Sequence, residues 1–245
     1  MEHHERADDS MSGPAKRRSG WLIPLVVFFV TACLSALVLA YYFAPARPGL
    51  AEEEPAPTDA TRTIALSVGS YPLRIPANYI LTAGARHGGP LEQIALIAML
   101  PDLQGYTLGA APDLTSNAAD SRVIHIVLKS GTPLLPEKER VERIYMSQVE
   151  DSIGKLGPFG LRQYAFRNES GYHDQDLFIG MTDSGPAVLL CAKIAPEIVS
   201  PSCMRDLPFG DGLSLSYRFK RAHLSDWRKI DAGIRARLAE FSAKE

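Results

Sequence analysis

Cysteine is scarce in this chain: Cys33, Cys191 and Cys203 are the three among 245 residues, and no two form a C-x-x-C pair. No histidine neighbours the later two, so a zinc site is not expected. There is no G-x-S-x-G nucleophile elbow and no Gly-rich phosphate loop. His87-Gly88-Gly89-Pro90 lacks the lysine and the strand–helix setting such a loop needs. A dominant charge is missing as well: 26 Lys and Arg against 28 Asp and Glu leave a net charge of -2. Nothing therefore marks the chain as a nucleic-acid binder, and no cofactor is expected. Hydrophobic content of 46% with 22% charged residues suits a globular protein with its own core.

Charge is absent from one long stretch, Trp21 to Phe43 (WLIPLVVFFVTACLSALVLAYYF). As a helix it rises ~35 Å, enough to cross a hydrocarbon core of ~30 Å. Trp21 at one end and Tyr41, Tyr42 and Phe43 at the other suit the two interfaces. Lys16, Arg17 and Arg18 precede it and Glu52, Glu53 and Glu54 follow, which predicts a cytoplasmic N-terminus and an exported remainder. Two other fates compete. Ala44-Pro45-Ala46 is a poor signal-peptidase site, after an apolar run longer than a signal peptide carries. Val30-Thr31-Ala32-Cys33 has the form of a lipobox, with Cys33 as the lipidated residue. Leu34 to Phe43, however, stays apolar where a polar tether should begin. The uncleaved anchor fits best.

Residues 1–20 are polar and lack periodicity, as in a disordered tail. Residues 44–60, rich in Pro, Ala and Glu, read as a semi-extended spacer. The exported domain is then 61–245, a size for one compact unit. Thr63–Val68 alternates as a half-buried strand, and Gly69-Ser70-Tyr71-Pro72 turns into a return at Leu73–Ile75. Pro76–Leu81 reads as a short helical piece, Leu91–Leu100 as a strand, and Asp102–Ala119 as a long surface loop. Arg122–Lys129 is a strand with Ile124, Ile126 and Leu128 on one face. Pro136 opens a helix whose Glu137 and Glu139 suit the positive dipole end, with Val141, Ile144, Tyr145 and Val149 as its buried stripe. Strands follow at Leu161–Arg167, Asp176–Met181, Ala187–Lys193 and Gly212–Lys220. Ser225 is placed to cap a terminal helix whose Trp227, Ile230, Ile234, Leu238 and Phe241 share a face. The class expected is α+β: one transmembrane helix, then a mostly antiparallel sheet with two or three packed helices.

Cys191 and Cys203, twelve positions apart beside successive strands, suit a disulfide in an oxidising compartment, contributing about 3 kcal/mol. Two buried thiols are the other reading. Glu169, His173, Asp174 and Asp176 crowd one segment that could bind a cation or supply an acid–base pair, though a solvated turn is the commoner meaning. His125 falls in a strand, as structural histidines do. Arg218, Lys220, Arg221, Arg228, Lys229, Arg235 and Arg237 outnumber the acids around them and could face an anionic partner; a solvated face is the plainer reading.

The basic N-terminus, single helix and Ala/Pro/Glu spacer resemble membrane-anchored envelope proteins. Leu73-Arg74-Ile75-Pro76-Ala77-Asn78, Leu103-Gln104-Gly105-Tyr106, Cys203-Met204-Arg205-Asp206, Leu213–Phe219 and Trp227-Arg228 are similar to those of an uncharacterised family of single-pass, membrane-anchored periplasmic proteins of Gram-negative bacteria. That resemblance implies an inner-membrane address and assigns no activity to any residue. The function expected is a non-enzymatic interaction or assembly module of the envelope with a protein partner. The alternative is an envelope enzyme or ligand-binding sensor acting on cell wall, lipid or a small molecule.

Overall fold

The computed structural model describes residues 20–43, 54–131, 134–210 and 212–242. The chain divides into two compact units, 1–52 and 53–245, and each is described by itself. In the first, helix α1 spans Leu22–Phe43. Its Leu22–Ala40 portion is long and apolar enough to cross a membrane. The hydroxyl of Thr31 donates to the Val27 carbonyl at 2.6 Å, so this polar group is satisfied within the helix.

The second unit begins before the first strand. Ala56 N–H donates to the Leu81 carbonyl at 2.9 Å and Pro55 bridges Thr82, so residues read as spacer lie against the domain. Strands β1 (Thr63–Val68) and β2 (Tyr71–Pro76) form the expected hairpin, and β3 (Gly89–Leu91) adds parallel to β1 as a small sheet. The large sheet takes β4 (Gln93–Met99), helix α2 (Ala111–Thr115) intervenes, and β5 (Val123–Ser130) pairs antiparallel with β4. Helix α3 (Glu137–Arg140) runs on as a wider π-type turn over Val141–Tyr145. Then come β6 (Lys155–Leu156), β7 (Arg162–Ala165), β8 (Gln175–Thr182), β9 (Gly185–Ala192), β10 (Ser202–Phe209) and β11 (Leu213–Lys220). Helix α4 (Trp227–Phe241) closes the chain. The eight strands lie in the order β4-β5-β11-β10-β9-β8-β7-β6 and pair antiparallel throughout. The fold is α+β.

Alternation builds the layers. Ile124, Ile126 and Leu128 on β5, and Leu213, Leu215, Tyr217 and Phe219 on β11, face one core with Trp227, Ile230, Ile234, Leu238 and Phe241 of α4. The small sheet adds Ile64, Leu66 and Val68 to this core. The other face of the large sheet is covered only towards its ends. Leu114 and Ala111 of α2 pack with Ile97, Met99 and Val123 at one end. Tyr145 and Val149 pack with Tyr164, Phe166 and Leu177 at the other.

Three local expectations need correction. Ser225 caps no helix: it lies in a 3-10 turn, and α4 begins after Asp226 without a side-chain cap bond. Asp102–Ala119 is more than a surface loop, since it holds α2 and buries Leu103, Tyr106 and Ala110. Strand β10 was not expected at all.

Candidate functional site

That unexpected strand carries the densest polar cluster in the domain. β10 pairs with β9 at only two positions, Cys203 with Cys191 and Met204 with Leu190. The cysteines at the first position are joined by a disulfide, S–S 2.00 Å. Beyond them the two backbones part, and side chains of α3 take up the backbone groups the ladder leaves. Glu137 Oε1 accepts from Val188 N–H of β9 at 2.9 Å, and Arg140 donates to the Asp206 carbonyl of β10.

Arg205 sits beside this opening with 2% of its surface exposed. Its Nε and Nη2 meet the two oxygens of Glu137 at 2.8 and 2.7 Å, the bidentate geometry a guanidinium favours. Its Nη1 donates to Asp231 of α4, which also accepts from Tyr217 at 3.0 Å and from Arg235 at 3.1 Å. Burial disfavours the Arg205 cation, yet the Glu137 hydrogen bonds and the Glu137 and Asp231 charges outweigh it and hold its pKa above the ordinary arginine value. Burial, and then the Asp231 charge, push the Tyr217 hydroxyl pKa up. The hydroxyl therefore stays protonated and donates. Such a cluster holds elements together; each charge in it already has its counter-charge.

The seven basic residues picked out at the C-terminal end do not share one environment. Arg221 pairs with Asp176 at 2.7 Å, Lys229 with Asp226 at 3.2 Å, Arg235 with Asp231 and Arg237 with Glu240 at 2.6 Å. Arg228 stacks over the Trp227 ring and donates to the Phe159 carbonyl at 3.1 Å. Arg218 and Lys220 remain, both on the outward row of β11, and among the described residues neither meets a carboxylate. Lys220 Nζ contacts only the Asn117 amide oxygen, at 2.8 Å.

The acidic segment also separates. Asp176 is buried on β8 against Arg221, while Glu169, His173 and Asp174 are exposed. His173 Nδ1 lies 3.0 Å from the Ser170 carbonyl. Among the described residues no three His, Cys, Asp or Glu side chains converge as metal ligands would. Arg205 and Glu137 were missed as a centre. Their one sequence signal is that Arg205 interrupts the apolar alternation Cys203, Leu207.

Exposed apolar side chains gather at one end of the large sheet. Strand β6 pairs only with β7, and its Leu156 is 90% exposed. Ile153 and Phe159 in the flanking turns, and Met181 on β8, are exposed too.

No family model matches the chain, and no curated protein matches it. Two solved structures are similar to this chain, the first of them at the level of the fold. One is an immunity protein of the type IV secretion system of Stenotrophomonas maltophilia, at TM-score 0.53 and 18% identity, covering 75% of this chain and 94% of that one. The other is an iron-regulated outer membrane lipoprotein of Neisseria meningitidis, at TM-score 0.48 and 13% identity, covering 78% and 98%.

Proposed function

We propose that this chain is a non-enzymatic module of the bacterial envelope, anchored in the inner membrane by α1, with its N-terminus cytoplasmic and its sheet domain in the periplasm, where it engages a protein partner. The observation that carries the partner reading is the open apolar edge around Leu156: an edge strand paired on one side with β7, with exposed Ile153, Phe159 and Met181 at the same end of the sheet, offers both backbone hydrogen bonds and apolar area. The disulfide supports an oxidising compartment, and the basic flank of α1 supports the orientation. The fold is shared with an immunity protein of a secretion system, which supports partnering over turnover.

In-cell crosslinking of the tagged full chain, with mass spectrometry of the adducts, tests the reading. The expected result is one reproducible envelope protein, lost when Leu156→Asp and Ile153→Asp are combined. Turnover of a cell-wall or lipid substrate by the purified protein would overturn it. Reporter fusions after Phe43 and at the C-terminus check the topology; activity of a cytoplasm-only reporter at the C-terminus would reverse the orientation.

A further inference from the structure

The outward face of β5 and β11 lies between the cover of α2 and that of α3. There, Arg218 stands directly across the ladder from His125, and Lys220 is two residues further along the same row. Arg218 and His125 are exposed, and Lys220 is half-buried. A recess of about 180 Å³ opens beside this row, lined by His125 and Lys220 on the sheet, by Thr115 at the end of α2 and by Ser116 and Asn117 after it; Arg218 stands outside the lining, next to His125. The one acid in its wall, Asp113, is bound by Arg122 at 2.6 Å and offers these cations nothing. On the remaining side the floor continues through half-buried Ser214 and Ser216.

Two cations and an imidazole thus face one another; the carboxylate of Asp206, on the same face across the ladder from Ser216, forms no ion pair with them among the described residues. The cost shows in their proton affinities. Although the His125 ring is exposed, desolvation by the flanking strands lowers its pKa, and the Arg218 and Lys220 charges lower it further. Lys220 is lowered by desolvation first and then by Arg218. Every other cation of the C-terminal group has a carboxylate or a ring. Leaving only these two bare is electrostatically unfavourable in the free protein and favourable once a counter-charge arrives.

We propose that this recess receives a carboxylate side chain from an acidic segment of the protein partner, with Arg218 and Lys220 as its counter-charges and Ser116 and Asn117 as its polar rim. Size selects the occupant. Pockets that hold whole small ligands measure about 300–1,000 Å³, so this one admits a single side-chain-sized group projecting from a larger surface. A guanidinium matches a carboxylate bidentately. The inference rests on the partner reading above and adds the chemistry of one contact.

The test uses the full chain in a nanodisc of zwitterionic lipid and a labelled hexaglutamate peptide as the probe. Saturable binding is expected, weakened about tenfold or more in Arg218→Gln/Lys220→Gln and unchanged in Lys229→Gln/Arg237→Gln, whose cations already have partners. Equal binding by the first double variant overturns the inference. So does inorganic phosphate displacing the peptide at lower concentration than free glutamate, or binding to phosphatidylglycerol vesicles that depends on Arg218 and Lys220 when peptide binding does not. The in-cell crosslink separates the two readings. A partner captured equally by wild type and R218Q/K220Q leaves the interaction module standing and removes this contact. No partner for the wild type removes the module itself.

Discussion

Tyr217 and Arg218 are neighbours on β11, and the pleat sends them to opposite faces. Tyr217 enters a buried centre in which Arg205 meets both Glu137 and Asp231. Arg218 enters an exposed row beside the Lys220 cation, with the His125 imidazole across the ladder. Water explains the contrast. The Arg205 guanidinium, inside the domain, has lost its hydration and is held by carboxylates placed against it. One at the surface keeps its hydration and can stand unpaired at modest cost, available to something outside the molecule. The paired cations of the C-terminal group serve stability; its two unpaired ones, Arg218 and Lys220, are where recognition can act.

The sharpest way to break that contrast is at Arg205. Replacement by Met leaves Glu137 buried without a counter-charge and Asp231 with Arg235 alone, a loss expected at about 3–5 kcal/mol. Urea denaturation of the full chain in detergent, followed by Trp227 fluorescence, measures it. A loss below about 1 kcal/mol would mean the cluster is far wetter than its burial indicates. Next in size is the disulfide. It holds β9 to β10 beside the opening plugged by α3, so Cys191→Ala/Cys203→Ala is expected to cost about 3 kcal/mol. Unchanged urea midpoints with and without reductant would remove it as a contributor. Gly180→Ala follows. A Cβ there would lie 2.5 Å from the Trp227 ring and 2.9 Å from Leu161, so about 1–3 kcal/mol of overpacking is expected. An unchanged midpoint would show that the α4 layer can shift to admit a methyl.

These sites differ in how far the sequence announced them. β1, β5 and β11 are visible because every second residue is apolar and each strand buries one face against the shared core. The stripe of α4 is equally plain. β10 is hidden for the opposite reason: Arg205 occupies a buried position in its alternation, between Cys203 and Leu207, and Pro208 suggests a break. An arginine reads as exposed unless its partners are known, and these lie 68 and 26 residues away. Glu137 had an adequate local explanation at a helix start, which concealed its long-range role. The recess was half legible. Arg218 and Lys220 were among the seven basic residues, but only tertiary pairing shows that the other five are occupied. His125 gave no sign of lying across from Arg218, because that depends on the register of β5 with β11.

Asp113 offers a smaller test of the same rule at the surface. Its hydrogen bond from Arg122, more than the burial opposing it, holds its carboxyl below the usual range. A depressed folded-state pKa means stability present above the unfolded carboxylate value and lost as pH falls through the folded one. With Arg122 more than half exposed, solvent screens the pair and its contribution at pH 7 is expected to be small. Asp113→Asn should therefore unfold slightly earlier at pH 7 and match wild type once the pH has fallen below the depressed folded-state value. A difference that persists in acid would assign the effect to packing instead of charge.

Arg218→Gln is expected to have the smallest effect on stability, and its sign is the informative part. No carboxylate is lost, so the change should stay within about 0.5 kcal/mol. Removing Arg218 also relieves Lys220, which places the shift on the stabilising side. Raising NaCl from 0.05 to 1 M should shrink the gap between variant and wild type, because the screening length falls from over 10 Å to about 3 Å. Urea midpoints at the two salt concentrations measure this directly. A destabilised variant whose deficit ignores salt would mean that Arg218 is held by packing. The recess would then belong to the folded scaffold, and the division between paired cations for stability and bare cations for recognition would fail at the residue that best represents it.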